Sequence, residues 1–157
     1  MKIVQEMNEV LQTNAPTQSK TEFGWPIISQ PKVGVIITHH NYSEFIEKAI
    51  NSVLNQTYSN FECVVVDDCS NKQHQEKLRE LMLRYSERIK FVFLEENVGQ
   101  IPAFYAGVDR IKADFYCLLD PDDRYFEAFI EDMVAVHLNP YMHVSMVCCD
   151  QVYVNAG

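Results

Sequence analysis

Four short apolar runs in this chain each end directly in residues that can do chemistry. Val33–Ile37 runs into Thr38-His39-His40-Asn41, and Phe61–Val66 into Asp67-Asp68-Cys69-Ser70. Lys90–Leu94 runs into Glu95-Glu96-Asn97-Val98-Gly99, and Phe115–Leu119 into Asp120-Pro121-Asp122-Asp123. Three of the four carry acids side by side. Carboxylates this close repel one another and raise the cost of ionising, so a cation is the natural compensation. Mg²⁺ or Mn²⁺ suits oxygen ligands and commonly bridges protein carboxylates to substrate phosphates. Such an ion would let an acidic surface accept a diphosphate. The plainer alternatives are local. Asp122 or Asp123 suits the N-cap of a helix beginning near Tyr125, and Ser70 that of a helix over Asn71–Arg88. Adjacent strand-end histidines point to opposite faces, so His39 and His40 do not chelate one ion easily, and one of them is a packing or surface residue. Asn97 and Gly99 read first as a turn before a helix.

The runs that carry these residues are short and rich in β-branched and aromatic side chains, as buried strands are. A fifth run of the same kind covers Val144–Cys149. Between them lie four amphipathic stretches. Their apolar stripes are Ile46, Ala49, Ile50, Val53 and Leu54; Leu78, Leu81, Met82, Tyr85 and Ile89; Ile101, Phe104, Val108 and Ile111; and Phe126, Phe129, Ile130, Met133 and His137. Ser43 or Asn41 suits the cap of the first. The aromatics Phe104, Phe126 and Phe129 read as core, and His74, His137 and His143 as surface or helix-face residues. Strand–helix alternation of this kind predicts an α/β domain with a doubly wound, mostly parallel sheet and helices on both faces. Ligands of such sheets bind beyond the carboxyl ends of the strands, which is where the acids fall.

Composition narrows the class. The 157 residues are 47% hydrophobic and 22% charged, which suits one globular domain and excludes a disordered or collagen-like chain. A formal charge of −9 argues against a nucleic-acid backbone binder, which needs a basic face. No apolar stretch approaches the ~20 residues that span a bilayer. The five cysteines lack paired zinc spacing and mostly sit in apolar runs, as reduced, packed thiols do. Residues 1–31 differ from the rest: a short amphipathic stretch over Met1–Gln12, a polar stretch, then Gly24-Trp25-Pro26 as an anchor. They read as a partly mobile leader to a domain over residues 32–157.

A dinucleotide fold would want G-x-G-x-x-G after the first strand, and neither that motif nor a Walker A sequence is present. The runs Val33–Thr38, Asn41-Tyr42, Ala49–Tyr58, Phe61-Glu62, Val65–Ser70, Asn97–Gly99 and Leu118–Asp123, in that order and spacing, resemble the family 2 glycosyltransferases of GT-A fold. The resemblance covers roughly Val33 to Val134 and more weakly the last run.

It implies an inverting transferase that moves a sugar from a nucleoside diphosphate donor, commonly a UDP-sugar, to a glycan or lipid-linked acceptor. Thr38 and His40 would line the base, His40 standing where the family often has an aromatic, and Asn41 would belong to the nucleotide site. Asp68 would accept a base N–H, and Asn97 and Gly99 would lie near the nucleotide. Asp120 would meet the ribose, and Asp122 would hold Mn²⁺ or Mg²⁺. A cytoplasmic protein is implied, with peripheral attachment to the inner membrane face and homo-oligomerisation both left open. Two departures stand out. The family's Arg-Asn pair after the N-x-G turn is Phe104-Tyr105 here, and the catalytic base and acceptor-binding half are expected beyond Gly157. The rival readings are a non-catalytic nucleotide-binding or interaction domain and a metal-dependent nucleotidyltransferase.

Overall fold

The computed structural model describes residues 30–139 together with 141, 146 and 147. The expected leader helix, Trp25, His143 and most of the expected fifth strand lie outside the described residues. Strands β1 (Val33–His39), β2 (Phe61–Asp67), β3 (Ile89–Phe93) and β4 (Phe115–Leu119) alternate with helices α1 (Ile46–Leu54), α2 (Lys72–Tyr85), α3 (Gln100–Val108) and α4 (Phe129–His137). The strands form one parallel sheet in the order β3-β2-β1-β4. The chain thus moves outward from β1 to β3, then returns across β1 to lay down β4. A crossover of constant hand must change faces when the direction of travel reverses. Side chains of α1, α2 and α4 accordingly pack with Val35, Ile37, Cys63 and Val65 on one face. On the other, Ala103 of α3 and the following Ile111 pack with Ile36, Val64 and Val66.

Burial follows position in the sheet. All seven residues of central β1 are buried, whereas β4 buries only Leu119 and β3 only Ile89. The expectation of continuously buried strands therefore holds for the centre and fails for β3 and β4, each of which pairs with one strand among the described residues. Cys63 is fully buried, and desolvation pushes its thiol up to about 12, so it stays a neutral core group.

The helices correct several sequence expectations. Ile89 opens β3 instead of closing α2. Neither Ser43 nor Asn41 caps α1, whose N-cap is Phe45 without a side-chain bond. Asn71, not Ser70, caps α2, its Oδ1 accepting from His74 N at 3.3 Å. In α3 the buried residues are the small ones, Ala103 and Gly107, while Ile101 is 56% exposed. Close approach explains this: a Cβ on Gly107 would stand 2.7 Å from Ile36 Cγ2. The last helix begins at Phe129, and Phe126, expected in the core, is 72% exposed. No acid caps it. Gln56, arriving from the end of α1, accepts from Ile130 N at 2.9 Å and donates to Phe126 O at 2.7 Å. Thr57 adds bonds to Glu127 O at 2.8 Å and Glu131 Oε2 at 2.7 Å. The Gln56-Thr57 pair thus pins the start of α4 and leaves Asp120–Asp123 free of capping duty.

Candidate functional site

The reversal of strand order places a gap between the carboxyl ends of β1 and β4, the switch point at which such sheets bind ligands. A cavity of about 340 Å³ lies there. The end of β1 lines it with Thr38, His39 and His40, followed by Tyr42; β2 contributes Asp68; the first residue of α3 contributes Gln100; and the end of β4 contributes Asp120, Pro121 and Asp122. Thr38, His40, Asp68, Asp120 and Asp122 are therefore together. Asn41, Asn97 and Gly99 lie around the cavity as supports and do not line it.

Those supports form a connected set. Asn41 is in the left-handed region at φ 61°, which a short polar side chain tolerates. Its N–H donates to Ser70 Oγ at 2.9 Å, and its Oδ1 accepts from Asn71 N, also at 2.9 Å. The backbone donor at Asn71 fixes the amide orientation, so Asn41 Nδ2 donates to His40 Nε2 at 2.9 Å. His40 Nε2 is then an acceptor, and the proton sits on Nδ1, which donates to Asp68 O at 2.7 Å. Asn97 Nδ2 lies 3.1 and 3.3 Å from the two nitrogens of the same ring. The imidazole is thereby held in one tautomer and one orientation.

Asp68 is 4% exposed, and each of its oxygens accepts a backbone N–H: Val98 N at 2.7 Å and Gly99 N at 2.8 Å. Besides lining the cavity it ties the end of β2 to the turn that starts α3. Gly99 adopts φ 87° there, a conformation other residues strain to reach. His39, which also borders the cavity, pairs with Asp67 between its Nδ1 and Asp67 Oδ1 at 2.8 Å, both side chains fully buried. Ser70 Oγ sits 3.2 Å from the same His39 nitrogen, and Gln75 Nε2 donates to Asp67 Oδ2 at 2.9 Å. His39 is thus the packing member of the two histidines. Burial pushes the Asp67 carboxyl up, but the bonds from His39, Ser70 and Gln75 outweigh it and hold the group below its ordinary value.

At the end of β4, Gln100 Nε2 donates to Asp120 Oδ1. Sequence reasoning missed Gln100. The available signal was a polar residue directly after the Asn97-Val98-Gly99 turn, hence at the amino end of a helix facing the strand ends. Burial first, and the charges of Asp123 and Asp122 second, push the Asp120 carboxyl above its ordinary value, with Gln100 acting in the opposite sense. Among the described residues, the cavity lining includes Asp68, Asp120 and Asp122 and neither Lys nor Arg. Among the described residues, no three His, Cys, Asp or Glu side chains are grouped to hold an ion by themselves. The donor set therefore fits a hard cation that takes one or two carboxylates here and completes its shell from water and a ligand's phosphates, as Mg²⁺ and Mn²⁺ do. It does not fit an all-protein metal cage.

Known proteins resemble this chain in sequence and fold. An uncharacterised glycosyltransferase of Nostoc sp. is 39% identical over 105 residues, which cover 67% of this chain and 32% of that protein. The chain thus spans about a third of that relative's length. The crystal structure of S. aureus TarS 1–349 in complex with UDP superposes with a TM-score of 0.59 at 27% identity, covering 68% of this chain and 32% of that one. A mannosyltransferase of Pyrobaculum calidifontis, solved with GDP-Man and Mn²⁺, shares the fold at 17% identity, with a TM-score of 0.64 over 88% of this chain and 40% of its own. Residues 34–156 match Glycosyl transferase family 2. Together with the parallel sheet and its switch-point cavity, this makes the chain a member of that glycosyltransferase family.

Proposed function

We propose that residues 32–157 are the donor-binding part of a metal-dependent, inverting glycosyltransferase that uses a nucleoside diphosphate sugar. UDP is the first choice of donor nucleotide and a glycan or lipid-linked molecule the acceptor. The observation that carries this reading is the switch-point cavity that presents Asp68, Asp120 and Asp122 with, among the described residues, neither Lys nor Arg in its lining. The UDP bound in the TarS structure and the GDP-Man with Mn²⁺ in the mannosyltransferase support it.

The chain's own residues take defined parts. His40, locked by Asn41 and Asp68, offers a flat, oriented surface to the base beside Thr38. Asp68 keeps spare lone pairs on its two oxygens for a base N–H while bracing the turn at Val98 and Gly99. Asp120 accepts from the ribose hydroxyls, and Asp122 holds Mn²⁺ or Mg²⁺. When bound, such an ion supplies positive charge against the diphosphate leaving group.

Calorimetry of this chain with UDP, in Mn²⁺ and after chelation by EDTA, tests the reading. Binding should be measurable with the metal and fall by tenfold or more without it. Equal binding in both would overturn the metal assignment. No binding of UDP or GDP with metal present would overturn the donor assignment.

A further inference from the structure

Among the described residues, Gln100 is the one polar side chain from another element that hydrogen-bonds a β4 acid, and its place is set from across the cavity. Asp68 grips the N–H groups of Val98 and Gly99, the two residues before α3, at 2.7 and 2.8 Å. Gln100 follows as the first residue of that helix, and its Nε2 donates to Asp120 Oδ1. An ionised carboxylate only accepts, so the amide must turn its nitrogen toward Asp120. One oxygen of Asp120 is thereby occupied and the rotation of its side chain fixed. The second oxygen remains as an acceptor. The acid from β2 and the acid from β4 are thus linked through one helix turn.

Resting on the proposed function, we infer that Gln100 is the positioning residue that aims Asp120 at the donor's ribose hydroxyls, and so sets the preference for a ribose with its diol intact. A carboxylate free to rotate would lose that preference, because the hydroxyls would meet it in many orientations and the bond would no longer be prepaid by the fold. A residue that only stabilised α3 would change affinity for every nucleotide alike.

The test compares UDP with 2′,3′-dideoxy-UDP by calorimetry in Mn²⁺, on the 157-residue chain and on two variants. Gln100 is exposed and stands at the first helical position, so substitution there spares the core. Gln100→Met keeps the length and removes the donor. Gln100→Glu keeps the shape, suits a helix amino terminus, and sets a second carboxylate against Asp120. The unsubstituted chain should prefer UDP by about tenfold or more, the worth of one hydrogen bond to a charged group. Gln100→Met should bring that ratio to within about twofold of unity, and Gln100→Glu should weaken UDP by tenfold or more. Full retention of the preference in Gln100→Met overturns the positioning role alone. No preference in the unsubstituted chain overturns the ribose assignment of Asp120 and this inference with it.

Discussion

Asp67 and Asp68 are adjacent and chemically identical, yet they serve opposite sides of one strand end. Asp67 turns inward to His39, and Asp68 turns to the cavity and to the turn before α3. The sequence marks both as strand-end acids, and the family pattern picks out the second as the one that meets ligand. The inward pair is not legible, because nothing in the spacing says which of two adjacent histidines faces a carboxylate from another strand. The pair can be tested through pH. A carboxyl held below its ordinary value stabilises the fold above the unfolded carboxylate value, and that stabilisation is lost as pH falls through the lower folded value. Asp67→Asn should therefore cost about 1–3 kcal/mol near neutrality, since it unpairs buried partners. Against acid the gap in melting temperature between variant and parent should close below about pH 4. A gap unchanged at pH 3 would show that the loss is one of packing and not of charge.

At the scale of elements, periodicity located every helix of the described region but misjudged which residues α3 buries. A search for large apolar side chains finds Ile101, Phe104 and Val108, of which Phe104 and Val108 do pack, partly buried, against the core and Ile101 is exposed. The helix instead lies so close over β1 and β2 that only Ala103 and Gly107 are fully buried beneath it. Small residues carry little hydrophobic signal, so close packing of this kind is invisible to the pattern. Gly107→Ala should therefore destabilise, although alanine favours helix elsewhere. Its Cβ would meet Ile36 Cγ2 at 2.7 Å and Val66 Cγ2 at 3.1 Å, both on fully buried, branched side chains. Overpacking of this size costs about 1–3 kcal/mol. Thermal unfolding reads it directly, and a melting temperature at or above that of the parent would mean α3 can lift off the sheet at no cost. The start of α4 escapes the local pattern for a different reason. Its backbone donor at Ile130 is satisfied by Gln56, distant in sequence, where a local acid was the expected cap.

For the whole molecule, the reversal between β3 and β4 decides what the cavity can hold. It gathers one acid from β2 and two from β4 around a single space, in a chain whose formal charge is −9. In the proposed reading each of the three has a part on the donor side: Asp68, which also holds the turn at Val98 and Gly99, for the base, Asp120 for the ribose, and Asp122 for the cation. Transfer needs more than donor binding. An acceptor hydroxyl must be held in line with the breaking sugar–oxygen bond, and its proton must be taken as it attacks. His40 is not suited to that work, since its Nδ1 proton is committed to Asp68 O and its Nε2 lone pair to Asn41. Among the described residues, no carboxylate of the cavity lining is left over for it. Residues 1–157 by themselves should therefore bind UDP-sugar with metal yet release UDP no faster than the uncatalysed background, with or without glycan acceptors. A coupled assay for released UDP, run beside the calorimetry on the same preparation, decides it. Turnover well above background would mean that one of Asp68, Asp120 and Asp122 doubles as the base, and separate alanine variants at the three positions would then show which.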